Sequence, residues 1–448
     1  MKRYEIYKDS GILWLDAIPS HWHEEKLKHI STCNDEVLSE DTPDEQIIHY
    51  VEISDVDSVS GINNHTDYMF ANAPSRARRI TRKNDVIIST VRTYLKAIAT
   101  VKEDDLIVST GFAVIRPTKI NQKYLAYSLL NDDFLGEVIS KSVGVSYPAI
   151  NATDLIEIKI PVPPREEQET ITTFLDHKVG QIDATIAEKE QMLEYLKAYR
   201  SAIISEAVTK GLDKNVEMKD SGIEWIGIIP KTWKIVRIKH ILDYKTDSLR
   251  VGPFGSSLSG NDFKTEGYWV YNQRVVLDNN FNSNDTFVSQ EKYKELSSFK
   301  VFAGDILLTT RGTIGKVAIV PNTFHEGVLH PCLIRFRVDD SIVNKDFLAY
   351  YFNDTNLILD QVKYNSNSTT IDVIYSYTLK ELIVSLPPLD VQNDIVAHLN
   401  YKVQKIDEML KEAFQSVENL KSYKTTLITE AVTGKIDLRD WKPKVENV

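Results

Sequence analysis

Residues 165–210 read REEQETITTFLDHKVGQIDATIAEKEQMLEYLKAYRSAIISEAVTK, a run with the spacing of one long helix. Pro163-Pro164 stands just ahead of it, where a missing N–H costs nothing, and Glu166, Glu167 and Glu169 suit the positive end of the helix dipole. Gly211 follows as a C′ residue. Val179, Ile182, Ile186, Lys189, Leu193, Leu196, Arg200, Ile203 and Ala207 recur at alternating steps of three and four, a heptad seam interrupted by Lys189 and Arg200. A shift of 224 residues lands on Val403, Ile406, Leu410, Ala413, Val417, Leu420, Lys424, Leu427 and Ala431, the same seam again. The entry repeats too, with Pro163-Pro164 and Gln168 against Pro387-Pro388 and Gln392, as does the exit, Ser205–Thr209 against Thr429–Thr433. Helices of this size span roughly 65–70 Å. Neither seam can stay wet, so the two are expected to pack on each other.

The 448 residues leave room for several domains, and 42% hydrophobic composition is enough to bury real cores. No apolar run approaches about 18 residues, so no membrane span is expected. The N-terminal MKRYEIYKDSG has no apolar leader core, and a cytoplasmic location is expected. Cys33 and Cys332 lie in different halves without metal-ligand spacing and read as two buried free thiols of a reducing compartment. The net charge of −11 argues against a protein that coats nucleic acid by itself. Residues 76–102, however, carry eight basic side chains, among them Arg76, Arg78, Arg79, Arg92 and Lys96, against Asp85 alone, which suggests a local basic face.

A second repeat opens each half. Asp9-Ser-Gly-Ile-Leu-Trp14 with Pro19 and Trp22 returns as Asp220-Ser-Gly-Ile-Glu-Trp225 with Pro230 and Trp233, and the indoles read as anchors onto a core. Between this entry and each long helix lies a region of short β-branched runs. In the first half strands are expected at 46–53, 85–91, 97–101, 107–109, 113–116 and 155–161, with a helix at 123–130. In the second, strands are expected at 305–309, 317–320, 333–338 and 381–386, with a helix at 347–352. The organisation that follows is a first α/β (α+β) domain at 1–164, a helix at 165–211, a second such domain at 212–388, a helix at 389–436 and a tail at 437–448. The centres of the two domains differ: Gly252-Pro-Phe-Gly-Ser256-Ser257 has no counterpart in the first half. A shared frame with divergent centres suits one scaffold reading two different things.

No catalytic constellation emerges. The Pro-Pro pairs sit in Val162-Pro-Pro-Arg165 and Leu386-Pro-Pro-Leu389, not in the Asn/Asp-Pro-Pro-aromatic pattern of an amino-group methyltransferase. Gly312-Thr-Ile-Gly-Lys316-Val317 lacks the residues a phosphate-binding loop needs at Thr310 and Val317. Glu157-Ile-Lys159 resembles the end of a nuclease site, but alternating Ile156, Ile158 and Ile160 make it a solvated strand face. The ten histidines form no HExxH-like set, so no metal is expected.

What remains is loop chemistry suited to base edges and phosphates. Each half places an Arg in a Thr-bearing turn after a strand: Thr90-Val-Arg92-Thr93-Tyr94, with Lys96 beyond, and Thr309-Thr-Arg311-Gly-Thr313, with Lys316 beyond. A planar guanidinium can bind guanine in a bidentate manner or clamp a phosphate. Each half also has a polar loop before its last strand, one with Ser146, Tyr147 and Asn151, the other with Asn367, Ser368 and Thr369. Arg274, Ser256 and Ser257 complete the candidate DNA-contacting set. An ordinary surface turn has the same composition, and recurrence in both halves is what favours contact with DNA.

The doubled SGI-x-W entry, Gly304-Asp305-Ile-Leu-Leu-Thr-Thr-Arg311-Gly with its looser partner Asn84-Asp85-Val-Ile-Ile-Ser, and the doubled Pro-Pro-x₃-Gln helix ending in Glu-Ala-Val-Thr resemble the specificity subunit of Type I restriction-modification systems over essentially the whole chain. The resemblance implies two target recognition domains joined by an antiparallel coiled coil and a chain that is not itself an enzyme. It also implies double-stranded DNA as ligand, with an asymmetric bipartite target and an unread gap. Two modification subunits would methylate with S-adenosylmethionine, and restriction subunits would use ATP and Mg. No cofactor or membrane is expected on this chain. A protein-binding scaffold, or the partner of a fused nuclease-methyltransferase, are the alternatives.

Overall fold

A computed structural model describes residues 2–58, 60–244, 247–365 and 373–443. The chain forms two compact units, Met1–Gln191 with Ala413–Val448, and Met192–Glu412. Each unit therefore holds one globular domain and about half of each long helix, where the sequence suggested helices separate from domains.

In the first unit one antiparallel sheet has the order Ile98–Thr100, Val86–Ser89, Phe112–Pro117, Ser31–Cys33. A second runs Thr66–Met69, Ile47–Val51, Leu106–Ser109, Ala77–Ile80, its central pair parallel. Val51, Ile87, Ala99, Val108, Phe112 and Val114 share one core, and Val86–Ser89 and Leu106–Ser109 are buried without alternation because both their faces are covered, whereas Ile47–Val51 nearer the edge exposes Ile47 and His49. The second unit repeats the plan with Leu249–Val251, Leu333–Phe336, Ile306–Thr309, Val317–Ile319 and with Phe287–Val288, Tyr268–Tyr271, Gly327–Leu329, again with a parallel pair in the latter. A short ladder closes each domain onto the start of its helix: His23–Lys26 with Lys159–Val162, and Lys234–Arg237 with Ile383–Leu386.

The Asn84-Asp85 and Gly304-Asp305 turns are structural in both halves. Asn84 and Gly304 take the left-handed backbone at φ 73° and 78°. The next residue is a fully buried aspartate. Asp85 accepts from Arg116 Nε at 3.0 Å and Nη2 at 2.8 Å, and Asp305 accepts from Arg337 Nε at 2.5 Å. A buried carboxylate is tolerable only with such a partner.

The long helices run Arg165–Lys210 and Leu389–Val432. Gly211, at φ 80°, ends the first as expected. The second stops four residues short of 436, because Gly434 turns left-handed at φ 72° against Pro19 and Trp22, where any Cβ would collide. The seam is inward: Ile182, Ile186, Leu196, Ile406 and Val417 are buried, while Leu193, Ile203, Leu410 and Leu420 are half-buried and Leu427 fully so. The helices pair antiparallel, as the ion pairs show. Asp183 meets Lys424 at 2.8 Å in the first unit, and Arg200 meets Asp407 at 2.9 Å in the second. These two pairs stand at equivalent positions, with the basic residue on opposite helices. The seam's interruption at Arg200 thus has a function, since it also holds Asp354 at 2.5 Å.

Each helix is tied to its own domain by a buried glutamine. Gln168 Oε1 accepts from Asn121 N at 2.9 Å, and Gln392 Oε1 accepts from Asn344 N at 2.8 Å. Trp22 and Trp233 are buried as anchors, Trp22 donating to Glu167 at 3.0 Å. Two expectations need correction. Residues 155–161 are not one strand: Ala152–Leu155 is a helical turn and the strand begins at Lys159, while Glu157 pairs with Lys26 and Lys28. Cys33 and Cys332 are free but only half-buried. The short Gln290–Glu295 helix, capped by Ser289, has no counterpart in the sequence expectation.

Candidate nucleic-acid interface

The Arg turn and the polar loop before the last strand, far apart in sequence, meet in each unit. In the first, Ile150 N donates to Thr90 O at 2.9 Å, and Ala149 bridges both Val91 and Val143. In the second, Ile374 N donates to Thr310 O at 2.9 Å, and Arg311 bridges Val373. The same backbone hydrogen bond thus brings together two loops in both halves, whose side chains differ.

In the first unit Arg92 takes the left-handed conformation, φ 50° and ψ 47°. Its guanidinium lies over the Tyr147 ring, 4.6 Å from the centroid. Tyr94, Leu95, Val143, Val145 and Tyr147 around it are exposed. Ser146 and Asn151 are exposed on the same loop, Asn151 beside Asp154. An exposed Arg and aromatic rings without apolar cover are what base edges and phosphates can use.

Other candidates from the basic stretch have internal work. Thr93 is buried and shares a 2.7 Å hydrogen bond with Ser142, and Lys96 pairs with Asp132 at 2.6 Å, fixing the turn to the Asp132–Ser140 helix. Arg79 is half-buried, and burial lowers its pKa. Arg78 lies over Phe70, and the exposed Arg76 reaches Glu52 at 3.7 Å. Arg82 is held by Glu36 and Asp105. The stretch therefore does not add up to one free basic face; sequence counts charges but not their partners.

In the second unit Arg311 and Thr313 are exposed, with Gly312 left-handed at φ 65°. Gln273 Nε2 donates to Thr313 O at 3.1 Å, so the Gln273–Leu277 helix buttresses the turn and presents Arg274, itself paired with Asp278 at 3.4 Å. Gly252 packs so closely on His330 that a Cβ would fall 2.1 Å from its carbonyl oxygen. That contact sets the Phe254–Ser257 loop beside the turn holding Cys332, whose carbonyl accepts from Thr310 N at 3.0 Å. Ser256 is exposed, Ser257 half-buried and Phe254 81% exposed. Lys316 is a correction: its Nζ donates to Asn353 O at 2.5 Å, capping the Lys345–Asn353 helix instead of facing a ligand. Asn367, Ser368 and Thr369 lie outside the described residues. Sequence reasoning missed Tyr375 and Tyr377, exposed and stacked with centroids 5.5 Å apart beside the Arg311 turn; their i, i+2 aromatic spacing after a polar loop was the available signal.

A sequence profile described as the Type I restriction modification DNA specificity domain matches residues 20–195 and 230–419. The chain belongs to that family. The two matched stretches are the two halves read from the repeat, and the function of the family is DNA sequence specificity in restriction-modification complexes. Among relatives, the Type I restriction enzyme EcoKI specificity subunit of Escherichia coli (strain K12) is 24% identical over 72% of this chain and 68% of that protein. The MjaVIII specificity subunit of Methanocaldococcus jannaschii is 24% identical over 84% and 86%. A solved chain from work on complex assembly and conformational transition of the Type I R-M system has the same fold, with a TM-score of 0.72, 22% identity and coverage of 94% of this chain and 99% of that one. Among the described residues no helix is long and apolar enough to cross a membrane.

Proposed function

We propose that this specificity subunit reads an asymmetric bipartite target in double-stranded DNA, each domain reading one half-site through its paired loops. The observation that carries this reading is the doubled junction of Arg turn and pre-strand loop, identical in backbone pairing and different in side chains. Arg92 with Tyr147 serves one half-site and Arg311 with Tyr375 and Tyr377 the other. An unread gap separates the half-sites.

The chain performs no chemistry itself in this reading. Two modification subunits dock on the paired helices, bringing S-adenosylmethionine, and restriction subunits bring ATP and Mg; the complex acts in the cytoplasm. Sequencing of methylated sites, after assembly with the modification subunits and exposure to a random duplex library, tests the proposal. Two unlike half-sites separated by a fixed gap are expected. A symmetric or unbroken target overturns it.

A further inference from the structure

We propose that His49, His65 and Asp67 form a surface site for one divalent transition-metal ion of the zinc class. His49 and Asp67 are direct partners in the antiparallel ladder between Ile47–Val51 and Thr66–Met69. Cross-strand partners bring their side chains within about 5 Å of each other. His49 Nδ1 lies 2.7 Å from Asp67 Oδ1, and His65 Nε2 lies 3.5 Å from the same oxygen. The three ligand atoms all fall within 4.8 Å of one another, and all three residues are exposed. The His rings meet edge-on with centroids 5.3 Å apart.

Two imidazoles and a carboxylate are a ligand set that zinc and its neighbours accept, with water completing four-coordination. Small movements of exposed side chains bring three such atoms to the roughly 2 Å metal–ligand distance, since nothing has to be unburied. Spacing in the sequence hid this set, because strand register and not a helical or CxxC interval assembles it.

The second unit shows what the ladder position does. There Trp269 takes the place of His49, pairing with Gly327 as His49 pairs with Leu106 in the parallel ladder. Its antiparallel partner is Phe287, ring centroids 6.5 Å apart, and His325 stacks on it at 4.4 Å. At this ladder position an aromatic cluster stands in one unit and the polar triad in the other, whose edge strand is otherwise held by Tyr68 packing on Tyr50 with ring centroids 6.2 Å apart. A bound ion would add a second tie for the Thr66–Met69 edge, at the His49–Asp67 pair.

The test is titration of the full purified chain with zinc alone, against a chromophoric zinc chelator, with thermal unfolding read in parallel. The wild-type chain is expected to take up one equivalent and to melt at a higher temperature with zinc present. His65→Ala, outside the strand itself, and His49→Ala are each expected to weaken binding at least about tenfold and to abolish the rise in melting temperature. His65→Cys, which restores a ligand, is expected to recover binding. Wild-type affinity in both alanine variants, or no stoichiometric uptake by the wild-type chain, overturns the assignment.

Discussion

The Arg92 guanidinium lies over the Tyr147 ring at 4.6 Å, joining side chains 55 positions apart in an exposed contact. An exposed cation–π pair contributes about 0.5–1 kcal/mol, too little to explain holding a non-glycine residue in the left-handed region, which costs roughly 1–2 kcal/mol. Strain of that kind, kept at a solvent-facing turn, points to use by a ligand. Arg92→Ala is expected to weaken binding of the half-site read by the first domain by about 1–3 kcal/mol and to leave the other half-site unaffected. Arg92→Gly separates the two roles: recognition falls equally, while the melting temperature holds or rises because the strain is removed. Parallel gel-shift and melting measurements check this, and equal binding by the wild type and either variant would remove the turn from the interface.

Arg311 is the Arg of the second turn but stands one position earlier, at the place of Val91 relative to the shared hydrogen bond, and Gly312 holds the left-handed place of Arg92. Arg311→Lys keeps the charge but loses the planar fork, so discrimination at one base pair of the second half-site is expected to relax while overall salt dependence changes little. Methylation-site sequencing of this variant reads the change directly. An unaltered site sequence would assign Arg311 to phosphate contact or to none.

The duplicated seam made the helix pair legible, because heptad periodicity survives any context that buries one stripe. Ile182, Ile186, Ile406 and Val417 are buried as their spacing demanded. The Arg turns were visible for the same reason of repetition. Their surroundings were not. Lys96 and Lys316 look like free DNA-facing cations in sequence, but Asp132 and the Asn353 carbonyl engage them through tertiary contacts no local pattern encodes. Likewise the expected strand at 155–161 begins only at Lys159, because the chain is still turning through Leu155 and residues 156–157, where β-branched content alone favoured extension.

Burial along the seam is uneven, which makes a graded prediction. Leu196 is 4% exposed whereas Leu193, one step earlier, is only half-buried. Leu196→Ala is expected to destabilise by about 2–5 kcal/mol and Leu193→Ala by clearly less, in thermal or urea unfolding. The reverse order would mean that the two helices meet in a different register.

Asp437 is one of several carboxylates, Glu36 and Glu157 among them, that are held well below the usual range. It is held down to about 2, first by the hydrogen bond from Arg439, and its backbone N–H donates to Lys2 O at 2.8 Å. A depressed carboxylate contributes stability that is present above its unfolded value near 3.9 and is lost as pH falls through about 2. Asp437→Asn is therefore expected to lower the melting temperature at neutral pH, with the difference from wild type shrinking between roughly pH 4 and pH 2. A constant difference across that window would show that shape and not charge is what Asp437 contributes.

Gln168 and Gln392 test whether the repeat is mechanical as well as sequential. Each is buried on the second turn of its helix and reaches in two directions. Gln392 Nε2 donates to Pro387 O and Ile342 O, both at 2.9 Å, while its Oε1 takes the Asn344 amide. Gln168 Nε2 donates to Pro163 O at 2.9 Å, and its Oε1 takes the Asn121 amide. Both amides belong to residues whose side chains cap a domain helix, Asn121 for Gln122–Leu129 and Asn344 for Lys345–Asn353. Replacement by Leu keeps the volume and strands these buried groups, at about 1–3 kcal/mol for each unsatisfied one. Gln392→Leu, with two carbonyls and one amide deprived, is expected to destabilise more than Gln168→Leu, with one of each. Hydrogen exchange locates the effect: Asn344 N–H should lose protection in the first variant and Asn121 N–H in the second, each without the other. Loss of protection spread evenly over both domains in either variant would show that the glutamines support the chain as a whole and do not lock a helix to its own domain.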